Sequence, residues 1–150
     1  MIVRAAKPGD EQALIDLIQG LATYENEPDS VDNTPERLKA DLFEHKYCEA
    51  LVAEVNSEIV AFTIYYTSYS TWKGPCMYLE DLYVLPDHRR SGIGEVLFDA
   101  VVAICKERGY ARMDWQVLDW NEPAIKFYQK KEARLEEEWL NGRLFFECIL

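Results

Sequence analysis

The chain has 150 residues, 16 basic and 27 acidic, giving a formal net charge of −11 with 49% hydrophobic residues. That length suits one domain, residues 1–150, with a core that needs neither metal nor disulfide, and that composition excludes a disordered chain. So negative a field repels nucleic-acid phosphates and anionic membranes and attracts small cations, so neither nucleic acid nor membrane is an expected partner.

Residues 2–4 read as a short opening strand. After the turn at Pro8, Gly9 and Asp10, the apolar residues Leu14, Leu17, Ile18, Leu21 and Tyr24 recur at helical spacing, predicting a helix over 11–25. Residues 26–33 are polar and acidic, hence a loop. Thr34 then caps a second helix with Pro35 in its first position. Residues 50–55 and 59–65 are strands joined at Asn56-Ser57 as a hairpin. A strand over 77–84 ends at Pro86 and leads into a polar loop. Ile93, Val96, Leu97, Ala100, Val101 and Ile104 then mark a helix, with Gly109 at its C-terminal stop. Residues 112–117 form a strand, Asn121 starts a short helix to about residue 131, and Asn141-Gly142 predicts a type I′ hairpin between 136–140 and 143–147. The order is β-α-α-β-β-β-α-β-α-β-β. Strands 77–84 and 112–117 flank a helix and should run parallel.

Cys48, Cys76, Cys105 and Cys148 stand far apart, and His45 and His88 are the only histidines. No metal site is expected, and the cysteines read as small buried hydrophobes. The start lacks the apolar run of a signal peptide, and the most apolar helical stretch, 96–105, is interrupted by Asp99. A cytoplasmic setting is expected.

The loop Arg89-Arg90-Ser91-Gly92-Ile93-Gly94 joins a strand to a helix. Helix-start amides lack internal partners, and with two arginines beside them they suit a pyrophosphate. By itself the loop reads equally as a surface turn. It is not a nucleotide loop of the Walker type, because Glu95 follows Gly94, nor a Rossmann fingerprint, because Leu97 holds the third glycine's place. ATP and NAD are poor candidates.

This loop resembles the Arg/Gln-x-x-Gly-x-Gly/Ala loop of the GNAT superfamily of acetyl-CoA-dependent N-acetyltransferases. Within it, Tyr78-Leu79-Glu80-Asp81-Leu82-Tyr83-Val84, Trp120-Asn121-Glu122-Pro123-Ala124-Ile125-Lys126-Phe127-Tyr128 and Leu21-Ala22-Thr23-Tyr24-Glu25 resemble the spermidine/spermine (diamine) and thialysine N-acetyltransferases. The resemblance implies an α/β (α+β) GNAT fold, a mixed twisted sheet of about seven strands with helices on both faces. It implies direct acetyl transfer from acetyl-CoA to a primary amine of a small cationic acceptor, without metal, in a homodimer. Leu82, Tyr83 and Val84 would bind the pantetheine arm. Arg89, Arg90, Ser91, Gly92, Ile93 and Gly94 would hold the pyrophosphate, with Asn121, Glu122, Pro123 and Ala124 contacting the coenzyme from the other side.

By the same resemblance Tyr128 is the general acid that protonates the leaving thiolate, whose ordinary pKa is near 8.5. An acceptor amine of pKa near 10.4 must shed a proton, and Glu80, alternating along its strand with Leu82, is the candidate acceptor through a water. Tyr24 and Glu25 match polyamine-contacting positions, and Asp114, Trp115 and Gln116 would wall the acceptor cleft. From the residues alone, Tyr128 reads as a core aromatic and Glu80 as a solvated strand edge. Glu132 departs from the family, where glycine is common, and residues 136–142 do not align with it. A peptide acetyltransferase and a non-catalytic acyl-CoA-binding module are the alternatives.

Overall fold

A computed structural model describes residues 1–146 of the chain. The chain divides into two compact units, Met1–Trp115 and Gln116–Leu150. The first holds β1 (Ile2–Ala5), α1 (Glu11–Tyr24), α2 (Pro35–Phe43), β2 (Glu49–Val55), β3 (Glu58–Ser70), β4 (Gly74–Val84), a single 3-10 turn at Pro86–His88, α3 (Ile93–Glu107) and β5 (Met113–Asp114). The second holds α4 (Glu122–Lys130). No helix among the described residues is long and apolar enough to cross a membrane.

The five strands form one sheet in the order β1-β2-β3-β4-β5, antiparallel except for the β4–β5 pair. That last pair is parallel, as a helix between its strands requires. Asn56 and Ser57 turn β2 into β3 with φ of 52° and 66°, the left-handed pair of a type I′ turn.

Side chains alternate across the sheet. One face carries Ala50, Val52, Phe62, Ile64 and Tyr83, which pack with Leu14 and Leu17 of α1 and Leu38 and Leu42 of α2. Each such buried side chain contributes about 1.5–3 kcal/mol. The alternate positions, among them Ala53, Ala61, Thr63 and Leu79, are also buried, and α3 packs against β2, β3 and β4 through the apolar stripe of Leu97 and Val101.

At the sheet's edge, Arg4 Nη1 donates to Asp10 Oδ2 at 2.7 Å and its Nη2 to Glu54 Oε1 at 2.6 Å. Asp10 sits at the N-cap of α1, but its carboxylate is taken up by Arg4 and the Lys7 amide rather than by the helix. The Arg4 guanidinium holds the Asp10 carboxyl below the usual aspartate range. One ion-pair cluster thus ties β1, β2 and the start of α1 together.

Two expectations about strands need correction. Of the strand expected over 112–117, only Met113 and Asp114 join the sheet, facing Met77 and Tyr78. The hairpin expected around Asn141-Gly142 is absent, and residues 133–146 contain no strand or helix. Among the described residues, five strands therefore stand where about seven were expected. An isolated two-stranded hairpin is marginal in water, and Glu136, Glu137 and Glu138 add like-charge repulsion along one arm. Asn141 Oδ1 instead accepts a hydrogen bond from Gln116 Nε2 at 2.7 Å. Of the expected hairpin arm over 143–147, residues 143–146 are irregular and residue 147 lies outside the described residues.

Cys76 and Cys105 are buried and Cys48 is half-buried, all as free thiols. Cys148 lies outside the described residues.

Candidate active site

The site begins with an irregularity in β4. Phe62 faces Tyr83 and Ile64 faces Asp81, but the next pair is Tyr65 with Leu79, followed by Tyr66 with Tyr78. Glu80 is the extra residue of a β-bulge. Residues directly opposite in an antiparallel pair share a face, so Asp81 lies on the side of Ile64, Phe62 and Tyr83, toward α1 and α2. Tyr66 and Tyr78 lie on that side too, their ring centroids 5.2 Å apart.

A bulge breaks strict alternation and re-aims side chains. Leu82 pairs with Thr63 and takes the face opposite to Asp81, while Glu80 has no partner in the ladder, so regular alternation does not extend across it to Leu82. Thr63 Oγ1 donates to the Asp81 carbonyl at 2.8 Å, which holds the main chain just past the bulge.

The consequence is an acidic cluster. Burial and then the Glu80 charge raise the Glu25 carboxyl above its ordinary range. Asp81 is pushed up to about 7, by burial first and then by Glu80 and Glu25. Burial and Glu80 also raise the Tyr66 phenol. Glu80 itself is exposed. None of the three carboxylates has an ion-pair partner among the described residues. Like charges held together without a counter-ion favour an incoming cation. Asp81 and Tyr66 were not singled out by the sequence reading as acceptor-site residues. The bulge that brings Asp81 to the site leaves no signal in periodicity.

Beside the cluster, the sheet is open. β5 accompanies β4 only at Met77 and Tyr78, so from Leu79 to Val84 β4 has no strand partner on that side among the described residues. Leu82, Tyr83 and Val84 lie on this free edge. The Val84 carbonyl, however, accepts a hydrogen bond from Arg89 Nε at 2.9 Å.

The loop after the 3-10 turn contains two left-handed residues, Arg90 at φ 64° and Gly92 at φ 84°. Gly92 is the N-cap of α3 and provides no capping side chain, and a Cβ built on it meets nothing within 4 Å. The helix start therefore opens onto free space. Ser91 Oγ donates to the His88 carbonyl, which closes the loop on itself. A Cβ on Gly94 would lie 3.6 Å from Val84 Cγ2, an ordinary contact. Open amides at Ile93 and Gly94 beside the exposed Arg90 have the chemistry to bind a diphosphate. Arg89 is turned the other way, its guanidinium 5.0 Å from the Tyr24 ring centroid and 5.4 Å from that of Tyr83.

The remaining sequence-derived residues belong to both units, Asp114 and Trp115 to the first. Asp114 pairs with Tyr78 across the β4–β5 ladder and accepts from Arg112 Nε at 3.0 Å. Trp115 packs edge-on against Phe98 of α3, centroids 5.4 Å apart. In the second unit, Asn121 caps α4, its Oδ1 accepting from the Ala124 amide at 3.4 Å, with Glu122 and Pro123 in the first turn. Tyr128 is 7% exposed, its ring edge-on to Phe127 at 5.3 Å. Gln116 belongs to the same unit.

The acetyltransferase (GNAT) family profile matches residues 14–132. The chain belongs to the GNAT acetyltransferase family. As a GNAT protein it is an acetyl-transferring enzyme, and its five-stranded mixed sheet with four helices is the GNAT fold. It is 39% identical to the thialysine N-epsilon-acetyltransferase of Bos taurus over 143 residues, 89% of this chain and 84% of that one. It is 33% identical to the human spermidine/spermine N(1)-acetyltransferase-like protein 1 over 91% of this chain and 21% of that protein. A solved aminoglycoside acetyltransferase from an uncultured soil metagenomic sample superposes with a TM-score of 0.80 at 21% identity, over 97% of this chain and 96% of that one. Among the described residues no His, Cys, Asp and Glu group could hold a metal ion.

Proposed function

We propose that this GNAT enzyme transfers an acetyl group from acetyl-CoA directly to a primary amine of a small cationic acceptor, of the polyamine, diamine or lysine-like class. The observation that carries this reading is the unpaired carboxylate cluster of Glu25, Glu80 and Asp81 beside the open edge of β4. The names of the thialysine and spermidine/spermine relatives support it. The family profile runs across residue 115, which supports one acetyltransferase domain over 1–150.

Bound acetyl-CoA supplies the activated thioester. The amides of residues 92–94 with Arg90 hold its diphosphate, and the free edge of Leu82–Val84 takes the pantetheine arm. Asn121, Glu122, Pro123 and Ala124 contact the coenzyme from the start of α4. The acceptor binds as a cation, with Tyr24 and Glu25 at its distal end and Asp114, Trp115 and Gln116 along the cleft. A primary amine near pKa 10.4 is neutral in only about one molecule in 10³ at pH 7, equivalent to roughly 4–5 kcal/mol. Glu80 takes the amine proton through a water, and Asp81, poised near neutral pH beside it, receives it in turn. Tyr128 donates the proton that the departing thiolate needs.

The assembly is a homodimer in the cytoplasm, and light scattering of the purified protein tests the first of these. The functional test is acetyl-CoA turnover with spermidine, putrescine, thialysine and lysine side by side. Turnover is expected with at least one, and silence with all four rejects the small-amine reading. Tyr128→Phe should lower kcat by about 10²-fold or more with little change in the amine KM. A wild-type rate in that variant removes the acid role.

A further inference from the structure

Arg89 stands in the coenzyme loop, yet none of the contacts of its side chain lies within that loop. Its Nε donates to the Val84 carbonyl at the end of β4, and its guanidinium packs 5.0 Å from the ring of Tyr24 and 5.4 Å from the ring of Tyr83. Tyr24 is the last residue of α1 and Glu25 is its C-cap. Tyr83 is buried and is fixed against the same helix. A Cβ at Gly20 would lie 2.9 Å from its Oη and 3.1 Å from its Cε2, so only glycine lets the ring lie that close. A planar guanidinium between two aromatic rings is held by shape as well as charge, which a lysine cannot reproduce.

The next residue, Arg90, is left-handed, and Gly92 follows two residues later in the same conformation. The chain from Arg89 to the start of α3 is therefore short and conformationally specified. Whatever fixes the amides of residues 92–94 also fixes the base of the Arg89 side chain. Through Arg89 it fixes Tyr24, and with it the position of Glu25 at the acidic cluster.

We propose that Arg89 is a positioning residue that ties the amine-binding end of α1 to the coenzyme loop, so that coenzyme and amine bind with positive coupling. This rests on the proposed function and adds to it a link between the two halves of the site. Because binding linkage is reciprocal, the amine must tighten the coenzyme by the same factor as the coenzyme tightens the amine. The Arg89 side chain then contributes little to diphosphate binding itself, which falls to the loop amides and Arg90.

Isothermal titration calorimetry tests this with coenzyme A and thialysine, each alone and in the presence of the other, with spermidine as a second amine probe. In the wild type each ligand should tighten the other by about fivefold or more. Arg89→Lys keeps the charge and should leave coenzyme A affinity alone within about threefold, while the coupling falls toward one and the amine KM rises with kcat little changed. Tyr24→Leu removes the same contact from the helix side and should also abolish the coupling. Because Tyr24 also contacts the acceptor, the double variant is read by its coupling alone, which should be no lower than in either single variant. If Arg89→Lys weakens coenzyme A alone by about tenfold with the coupling intact, Arg89 is a phosphate ligand and the proposal is overturned. A coupling that falls further in the double variant than in either single one overturns it equally. A wild type that binds neither ligand overturns the functional reading, and the coupling with it. That outcome is recognised before any variant is made.

Discussion

Asp81 lies within β4 and Asp10 at the N-cap of α1, and their surroundings push them in opposite directions. Asp10 lies against the Arg4 guanidinium, so its pKa is depressed, and its stabilising contribution is lost as pH falls below the ordinary aspartate value of about 3.9. Asp81 meets only burial and negative neighbours, which push it up to about 7. The folded chain then holds a proton that the unfolded chain releases, and stability falls as pH rises from about 4 to about 7. Asp81→Asn, which cannot ionise, should flatten thermal stability over that window and raise Tm above pH 7 by a few degrees. The limb of kcat/KM near pH 7 should disappear with it. A variant that melts below the wild type at pH 8 contradicts this assignment. Sequence nominated Glu80 and Glu25 but not Asp81. The cross-strand register, with its extra residue at Glu80, puts Asp81 opposite Ile64 on the side of α1, where Glu80 and Glu25 both act on its charge.

Three helices end with the same device. Asn26, Gly109 and Glu132 are left-handed at φ 63°, 74° and 63°, and the following amides close back onto Ala22, Cys105 and Tyr128. Glycine adopts this conformation without a Cβ clash, and asparagine tolerates it, but glutamate does not favour it. Glu132→Gly should therefore stabilise the protein by about 0.5–1 kcal/mol, read as a rise in Tm. A fall in Tm refutes that. The departure from glycine at this position was legible in the sequence, as was Gly109 as a helix stop. Asn141-Gly142 is a signal of comparable local strength, yet no hairpin forms there among the described residues. A turn dipeptide nominates a hairpin, but strands persist only where a sheet receives them, and residues 136–146 join none.

Across the whole molecule the net charge of −11 acts together with the local cluster. Under the proposed function that charge would steer a cationic acceptor toward the site, and salt would screen the field over a Debye length of about 8–10 Å at 0.1–0.15 M. The amine KM should rise several-fold between 50 mM and 500 mM salt, chiefly for acceptors with more than one positive charge. An amine KM independent of salt argues against electrostatic recognition. Gly92→Ala probes the other half of the site. It places a Cβ on a left-handed residue with open space around it, so its cost is backbone strain at the loop. The coenzyme KM should rise by about tenfold, and an unchanged value removes the loop from diphosphate binding.

The sequence by itself determined the element order as far as α4, the caps and turns, the glycine loop between β4 and α3, and the family. These are signals carried by residues within a few positions of one another, through helical period, left-handed glycines and fixed motif spacing. Tertiary structure decided where β4 bulges, how far β5 accompanies it, which face Asp81 takes and where the Arg89 side chain points. Each of these depends on pairing between segments distant along the chain, and a shift of one residue in register moves a side chain from one face of the sheet to the other.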